Sequence, residues 1–372
     1  MATYSILVTG GAGFIGSFVV DRLIEEGHRV KILDNLEPQV HQSKIPQYLN
    51  RKAEFLKGDV LRDADLKKAL EDIEVVFHLA ARVGIGQSMY QIKEYVETNT
   101  FGTAKLLDML VNGKHDIKKL VVASSMSIYG EGSYHCERCG EVEAHLRTEE
   151  RLKKQDWEMH CPGCGGIVQP MPTKETKTLV PSSIYAITKQ DQEQMCLVTG
   201  KAYGIPTVAL RFFNVYGPRQ SLSNPYTGVA AIFMSRIKND NLPLIFEDGK
   251  QSRDFTSVHD IAAASILAMR SKSASYEALN VGTGNPITVQ QVAEILMKLF
   301  GKTMKPEIVG KYRKGDIRHC VADISKIKDI LGFEPRVSLE AGMKELIQWA
   351  EKEEAEDKVA AATQELKAKG LV

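Results

Sequence analysis

The sequence predicts an α/β protein: a doubly wound parallel sheet, a smaller C-terminal α/β unit and one inserted ribbon. Three observations predict it. From Tyr4 to Gly130, short apolar runs of strand length alternate with amphipathic stretches of helix length, the pattern of a parallel sheet covered on both faces. The first run leads through a glycine-rich turn into a helix-type stretch. The alternation then stops between Ser133 and about Pro172, where apolar periodicity is weak and four cysteines cluster.

Each element follows in order. Ile6-Leu-Val-Thr9 is a strand, and Gly10-Gly-Ala-Gly13-Phe14-Ile15-Gly16 opens a helix over Phe18 to Glu26. Gly10 suits a tight turn, Gly13 allows close backbone approach, and Gly16 lets helix pack on strand, so the helix N-terminus faces a pyrophosphate. The next strand, Arg29 to Leu33, ends at Asp34-Asn35. An acid at that place binds the ribose 2′-hydroxyl of NAD and repels the 2′-phosphate of NADP; the alternative is a turn-capping Asp34. Ala53 to Leu56 leads to Gly58-Asp59-Val60, placed along an adenine. Leu61 to Leu70 is a short helix, and Glu74 to Leu79 is a strand ending in Ala80-Ala81. Met89 to Val111 is helical, and Lys119 to Ala123 runs into Ser124-Ser125-Met126-Ser127-Ile128-Tyr129-Gly130. Asp34, Asp59, Ala80 and Ser125 thus fall beyond carboxyl ends of strands, where such sheets bind ligands.

The insertion carries Cys136-Glu-Arg-Cys139-Gly140 and Cys161-Pro-Gly-Cys164-Gly165, with 21 residues between the pairs. Four thiolates so spaced suit a closed, structural Zn2+ site, hence a zinc-ribbon-like module able to fold without a core of its own. His135, His145 and His160 are left as surface residues.

Tyr185-Ala-Ile-Thr-Lys189 puts a phenol and an ammonium on one helical face. The ammonium is expected to lower the phenol pKa and make Tyr185 a general base. Ser182-Ser183 caps that helix, and Gly204 ends it near Tyr203. Strand Pro206 to Arg211 follows, then Phe212-Phe213-Asn214-Val215-Tyr216-Gly217-Pro218. The second half reads as strands and helices forming a lid over the carboxyl edge of the sheet, with arginines placed for a phosphate. The domains expected are 1–210 for NAD, interrupted by the insertion at 133–172, then 211–350 mainly for substrate, with segments returning to the sheet. A charged C-terminal helix at 351–372 is expected to be solvated or a partner surface.

Taken together, these motifs resemble the extended short-chain dehydrogenase/reductase superfamily, specifically its NAD-dependent nucleotide-sugar epimerase/dehydratase family. The resemblance rests on Thr9 to Gly16, His78-Leu79-Ala80-Ala81, Ser124-Ser125 with Tyr129-Gly130, Tyr185-x3-Lys189, and Arg211 to Pro218, and it covers Tyr4 to about Glu351 apart from the insertion. It implies a Rossmann domain that holds NAD through the glycine loop, Asp34, Asn35, Asp59, Val60, Leu79, Ala80, Ala81, Asn99, Tyr185 and Lys189. It implies catalysis by Ser125, Tyr185 and Lys189, and substrate contacts at Ser125, Asn214, Arg253, Arg313 and Asp316. A homodimer is implied as well. The implied reaction is oxidation at C4 of a nucleotide-diphosphate sugar, rotation of the 4-keto sugar and return of the hydride to its other face. Sugar 4,6-dehydratases of this family carry Asp-Glu directly after the active-site Thr; Met126 and Ser127 stand there, which favours 4-epimerisation. The insertion, together with Gln220 to Gly228, resembles members acting on dTDP-L-rhamnose or UDP-glucose. Cys320 matches the pocket gate of the family and admits a larger sugar substituent, unless it is a core thiol.

Bulk composition limits the rivals. Lys and Arg number 48 against 47 Asp and Glu, so no global field points to nucleic acid or an anionic membrane. The stretch Cys136 to Cys164 holds five Lys or Arg against seven Asp or Glu, which argues against a nucleic-acid footprint. No apolar run approaches a membrane span, and the chain enters a strand at once, so the expected place is the cytoplasm. A decarboxylase or net oxidoreductase on the same scaffold is the alternative enzyme; a zinc-ribbon sensor is the alternative of another class.

Overall fold

The computed structural model describes residues 3–303 and 305–372. Seven strands, β1 (Ser5–Thr9), β2 (Arg29–Asp34), β3 (Glu54–Lys57), β4 (Val75–His78), β5 (Lys119–Ser125), β6 (Thr207–Phe212) and β7 (Glu277–Val281), form one sheet in the order β7-β6-β5-β4-β1-β2-β3. Every pairing is parallel. The order reverses at β1/β4, so the glycine turn after β1 opens into the crevice where such a sheet takes its ligand. Within β1, Ile6 and Val8 enter one core and Leu7 the opposite one. This is the period of two expected of a strand buried on both faces.

The helix Ile184–Tyr203 packs beside the helical run Ile92–Asn112, which passes through a π-helical turn at Val96–Phe101. Ser183 Oγ accepts from Ala186 N at 3.1 Å at its start, and Gly204, at φ +68°, ends it. The left-handed conformation there suits glycine. A second core, built by helices Val229–Lys238, Val289–Leu299 and Leu339–Ala350, fills the smaller lobe.

Two expectations change. The insertion does have a core: Tyr134, Ala144, Met159 and Val168 are buried with Cys136 and Cys161. Tyr134 and Cys136 belong to the central strand of a three-stranded antiparallel sheet, with Ser133–Cys136 between Gly140–Val142 and Gln169–Met171. The C-terminal stretch is not a solvated extension. Its helix, Val359–Ala368, buries Ala362 and Leu366 against the body of the protein. Among the described residues no helix is long and apolar enough to cross a membrane.

Candidate active site

One cavity of about 600 Å3 runs along the carboxyl edge of the sheet, from the glycine turn to the smaller lobe, a size typical of small-molecule sites. Gly10, Gly13, Phe14, Ile15, Gly16, Asp34, Asn35, Asp59, Val60, Leu79, Ala80, Ala81, Ser125, Tyr185, Lys189, Asn214, Arg253, Arg313 and Asp316 all line it. These residues come from the ends of β1 to β5, from the helix Ile184–Tyr203 and from segments after β6.

The first end fits a dinucleotide. A Cβ on Gly16 would lie 2.2 Å from Gly10 O, and one on Gly10 would lie 2.8 Å from Ala80 N. A Cβ on Gly13 would meet only Gly10 O, at 3.2 Å, and would otherwise project into free space. The helix Phe14–Glu25 has no side-chain cap, so its first amides are available to an anion. Asp34 accepts from Ala12 N (3.1 Å) and Leu36 N (2.9 Å), one on each oxygen, which leaves each oxygen a further lone pair for ribose hydroxyls. Asn35 donates to Asp59 at 3.0 Å on the adjoining wall.

The middle of the cavity holds the acid–base groups. Ser125 caps the 3-10 turn Met126–Tyr129 by accepting from Ser127 N at 3.2 Å, and it also accepts from Ser127 Oγ at 2.9 Å. Tyr185 N donates to Ser88 Oγ at 3.0 Å, which fixes the start of its helix against the loop after β4. Here the structure corrects the sequence reading. Burial raises the Tyr185 phenol above its ordinary range, and the neighbouring Ser125 hydroxyl opposes part of that rise. Lys189 is not among the groups acting on the phenol; its Nζ donates to Gln192 Oε1 at 2.9 Å. Burial also lowers Lys189 to about 8, against weaker opposing fields from Cys196 and Glu193. Gln192 in turn donates to Thr103 Oγ1 (2.8 Å), which bonds the buried ring of His78 (2.9 Å). Gln192 was missed in the sequence, although its place three residues after Lys189 puts it on the same helical face.

Asn99 is a second correction. It is fully buried and does not line the cavity. Its amide bonds Arg82 N (2.7 Å), Arg82 O (3.0 Å) and Thr188 Oγ1 (2.9 Å). It therefore ties the loop after β4 to the Tyr185 helix from behind the cavity lining. Cys320 is a third. It is 1 % exposed among Met126, Tyr129, Phe213 and Ala322, behind the wall, and burial pushes its thiol up to about 12. It is a core thiol, not a gate.

At the far end Asn214 Oδ1 is buried without a partner, an acceptor that a ligand donor can satisfy. Arg253 gives three N–H donors to the carbonyls of Ser252 (2.7 Å), Ile317 (2.6 Å) and Arg318 (2.9 Å), which fixes the guanidinium and leaves donors for a phosphate. Arg313 pairs with Asp316 at 2.8 Å and lies 4.8 Å over the Phe246 ring. Val359, Ala362, Thr363, Leu366 and Leu371 of the C-terminal segment close this wall; nothing in the motifs pointed to them.

Away from the cavity, the sulfurs of Cys136, Cys139, Cys161 and Cys164 lie within 4.8 Å of one another. Cys136 and Cys164 sulfurs stand 3.5 Å apart, too far for a disulfide and near the separation of about 3.8 Å that a tetrahedron of Zn–S bonds gives. Gly140 (φ +77°) and Gly165 (φ +72°) make the knuckle turns.

Comparison with known proteins agrees with this geometry. Residues 6–149 match the NAD dependent epimerase/dehydratase family and residues 165–346 match GDP-mannose 4,6 dehydratase; the gap between them falls in the insertion. A dTDP-L-rhamnose 4-epimerase of Burkholderia thailandensis is 34% identical over 352 residues, 94% of this chain and 95% of that one. The UDP-glucose 4-epimerase of Thermotoga maritima, solved with UDP-glucose, superposes with TM-score 0.76 at 34% identity over 94% of this chain and 99% of its own. The UDP-glucuronic acid 4-epimerase of Bacillus cereus, solved with UDP-glucuronic acid and NAD, superposes at 0.75 with 29% identity over 94% and 99%.

Proposed function

The chain belongs to the NAD dependent epimerase/dehydratase family, and from that premise we propose that it inverts C4 of a nucleotide-diphosphate hexose of the dTDP-L-rhamnose or UDP-hexose type. The observation that carries the reading is the set of groups after β5: Ser125 and Tyr185 line one cavity with the glycine turn, and Met126 and Ser127 stand where a dehydratase needs acids.

Bound NAD supplies the hydride acceptor and, on the return step, the donor. The residues of the chain do the rest. Tyr185 Oη removes the proton of the C4 hydroxyl and later returns it. Ser125 Oγ holds the same oxygen, and the Lys189 ammonium, anchored by Gln192, anchors the cofactor ribose. Asn214, whose free Oδ1 can accept from a sugar hydroxyl, holds the sugar or the diphosphate, Arg253 holds the diphosphate while the keto sugar turns, and Arg313 with Asp316 takes the nucleoside side. In this reading residues 1–210 bind the cofactor and 211–350 mainly the substrate. The four cysteines hold one structural zinc, supported by the fit of their sulfurs to a tetrahedron; metal analysis should find about one zinc per chain. The protein acts in the cytoplasm as a homodimer. Support for the dimer comes from exposed Ile92, Val96, Phe101, Ile187, Val198 and Tyr203 on the two adjacent helical runs. Light scattering that gives one chain mass, 41.3 kDa, would remove that part.

The test is incubation with UDP-, dTDP- and GDP-sugars, without added cofactor, read by NMR. A C4 epimer of unchanged mass is expected. A lighter or oxidised product appearing only with added NAD would assign a dehydratase, decarboxylase or dehydrogenase instead.

A further inference from the structure

Among the described residues, none of the insertion lines the cavity, yet one of its side chains grips two walls of it. Arg147, with its side chain 1 % exposed, donates from both terminal nitrogens to the two oxygens of Glu247, each at 2.8 Å. One nitrogen also reaches Trp157 O and the other Asp316 O, both at 3.1 Å. Glu247 closes the wall Leu244–Glu247, and Asp316 belongs to the wall Arg313–Ile317; both walls line the nucleoside end of the cavity.

The grip is specific in geometry. Glu247 has φ +55°, a left-handed conformation that a Glu seldom adopts. It is held there by Arg147 and by backbone bonds to Lys311 O (2.7 Å) and from Gly310 N (3.2 Å). A second buried guanidinium, Arg318, reaches the same Glu247 at 3.0 Å, Asp248 and, in the insertion, Glu158. Phe246, next to Glu247, lies under Arg313. Buried ion pairs are weak evidence for stability; their better-attested use is to fix one arrangement over others. Apolar contacts would suffice if the insertion only had to stay attached.

We propose that Arg147 is a positioning residue through which the four-cysteine insertion sets the spacing between the Phe246 wall and the Arg313–Asp316 wall, and with it affinity for the nucleoside diphosphate. The inference rests on the nucleotide-sugar reading above. It assigns the insertion to substrate affinity at one end of the cavity and leaves the Tyr185 chemistry untouched.

The experiment compares wild type, Arg147→Met and Arg147→Lys, each with its bound NAD. Calorimetry measures UDP and dTDP binding, and steady-state kinetics separates KM from kcat. Arg147→Met should weaken nucleotide binding and raise KM by at least ~10-fold, with kcat at saturation and NAD content little changed. Arg147→Lys keeps the charge but loses the fork; it should also raise KM and is the deciding variant if Arg147→Met does not fold. Folded Arg147→Lys with unchanged nucleotide affinity and only a lower Tm would overturn the proposal and leave an attachment role. Absence of nucleotide binding by the wild type would instead overturn the nucleotide-sugar reading itself.

Discussion

The two ends of the cavity are built from different materials. The cofactor end is built around one local turn, Gly10 to Gly16, joined by the tips of neighbouring strands, with backbone amides and missing side chains as its chief features. The far end, proposed for the nucleoside, is made of segments far apart in sequence, with Arg147 bonded to Glu247 across 100 residues and to Asp316 across 169. At the first end specificity lies in space left open, and at the second in charges that must find one another. A change at the first end should therefore act locally and severely, and one at the second should act through distance and by degrees.

The most severe test is Gly16→Ala. The new Cβ would meet backbone at 2.2 Å, where no flexible side chain can yield. The expected outcome is protein purified without NAD and without activity, read from the nucleotide released on denaturation. Full NAD content would mean that the turn relaxes, and the contrast between the two ends would weaken.

Next in size is Tyr185→Phe, expected to lower kcat by at least ~10²-fold with Tm and NAD content kept. The pH profile sharpens it. Because burial raises the Tyr185 phenol, the base form is scarce at neutral pH and its fraction grows as pH rises. The wild-type rate should climb with pH through the neutral range, and the residual rate of Tyr185→Phe should be flat there. A wild-type profile already level from pH 6 would show that bound groups lower the phenol after all.

Cys161→Ser tests the other end. Cys161 is a buried member of both the sulfur cluster and the small core of the insertion. Loss of the metal and poorer folding are expected, and the fraction that folds should show a raised KM with kcat within a few-fold of wild type. A collapse of kcat at unchanged KM would mean that the insertion shapes the Tyr185 region instead.

The same contrast explains what the sequence could reveal. The glycine turn, Asp34 and the Tyr185–Lys189 pair were legible as lining of one cavity because each motif is written in residues a few positions apart. The four cysteines were legible for the same reason, each pair making its own knuckle. Asn99 enters the cofactor set through the resemblance alone, and its partners, Arg82 and Thr188, are invisible in the sequence. The two readings of Cys320 stayed open because position in a motif does not say which face of a strand a thiol takes; here it turns into the Tyr129–Phe213 core. The lowered phenol pKa expected from Lys189 does not appear, because burial raises the phenol, and helical spacing does not say that the ammonium donates to Gln192. Arg147 carries no local signal at all: in sequence it is one arginine in an acidic stretch.

The C-terminal helix is the smallest expected effect and the one that joins the two ends. Its apolar positions Val359, Ala362 and Leu366 fall three and four residues apart, a narrow stripe easily lost in a charged segment. Leu366 lies against Gly86 beside the loop after β4, Glu365 accepts from Tyr226 Oη at 3.1 Å, and Leu371 O accepts from Lys314 N at 3.0 Å beside Arg313. The segment thus crosses the cavity from the cofactor side to the nucleoside side. Leu366→Asp places a charge where the side chain is 7 % exposed, which an apolar wall does not tolerate. The helix should detach while the sheet and the insertion stay folded. Trypsin should then cut faster at exposed Lys358 and Lys367, KM should rise by less than ~10-fold, and Tm should barely move, since the helix adds few residues to either main core. In the wild type, UDP or dTDP should slow the same cleavage. Equal cleavage with and without nucleotide would show that the helix rests on the cavity without sensing what fills it.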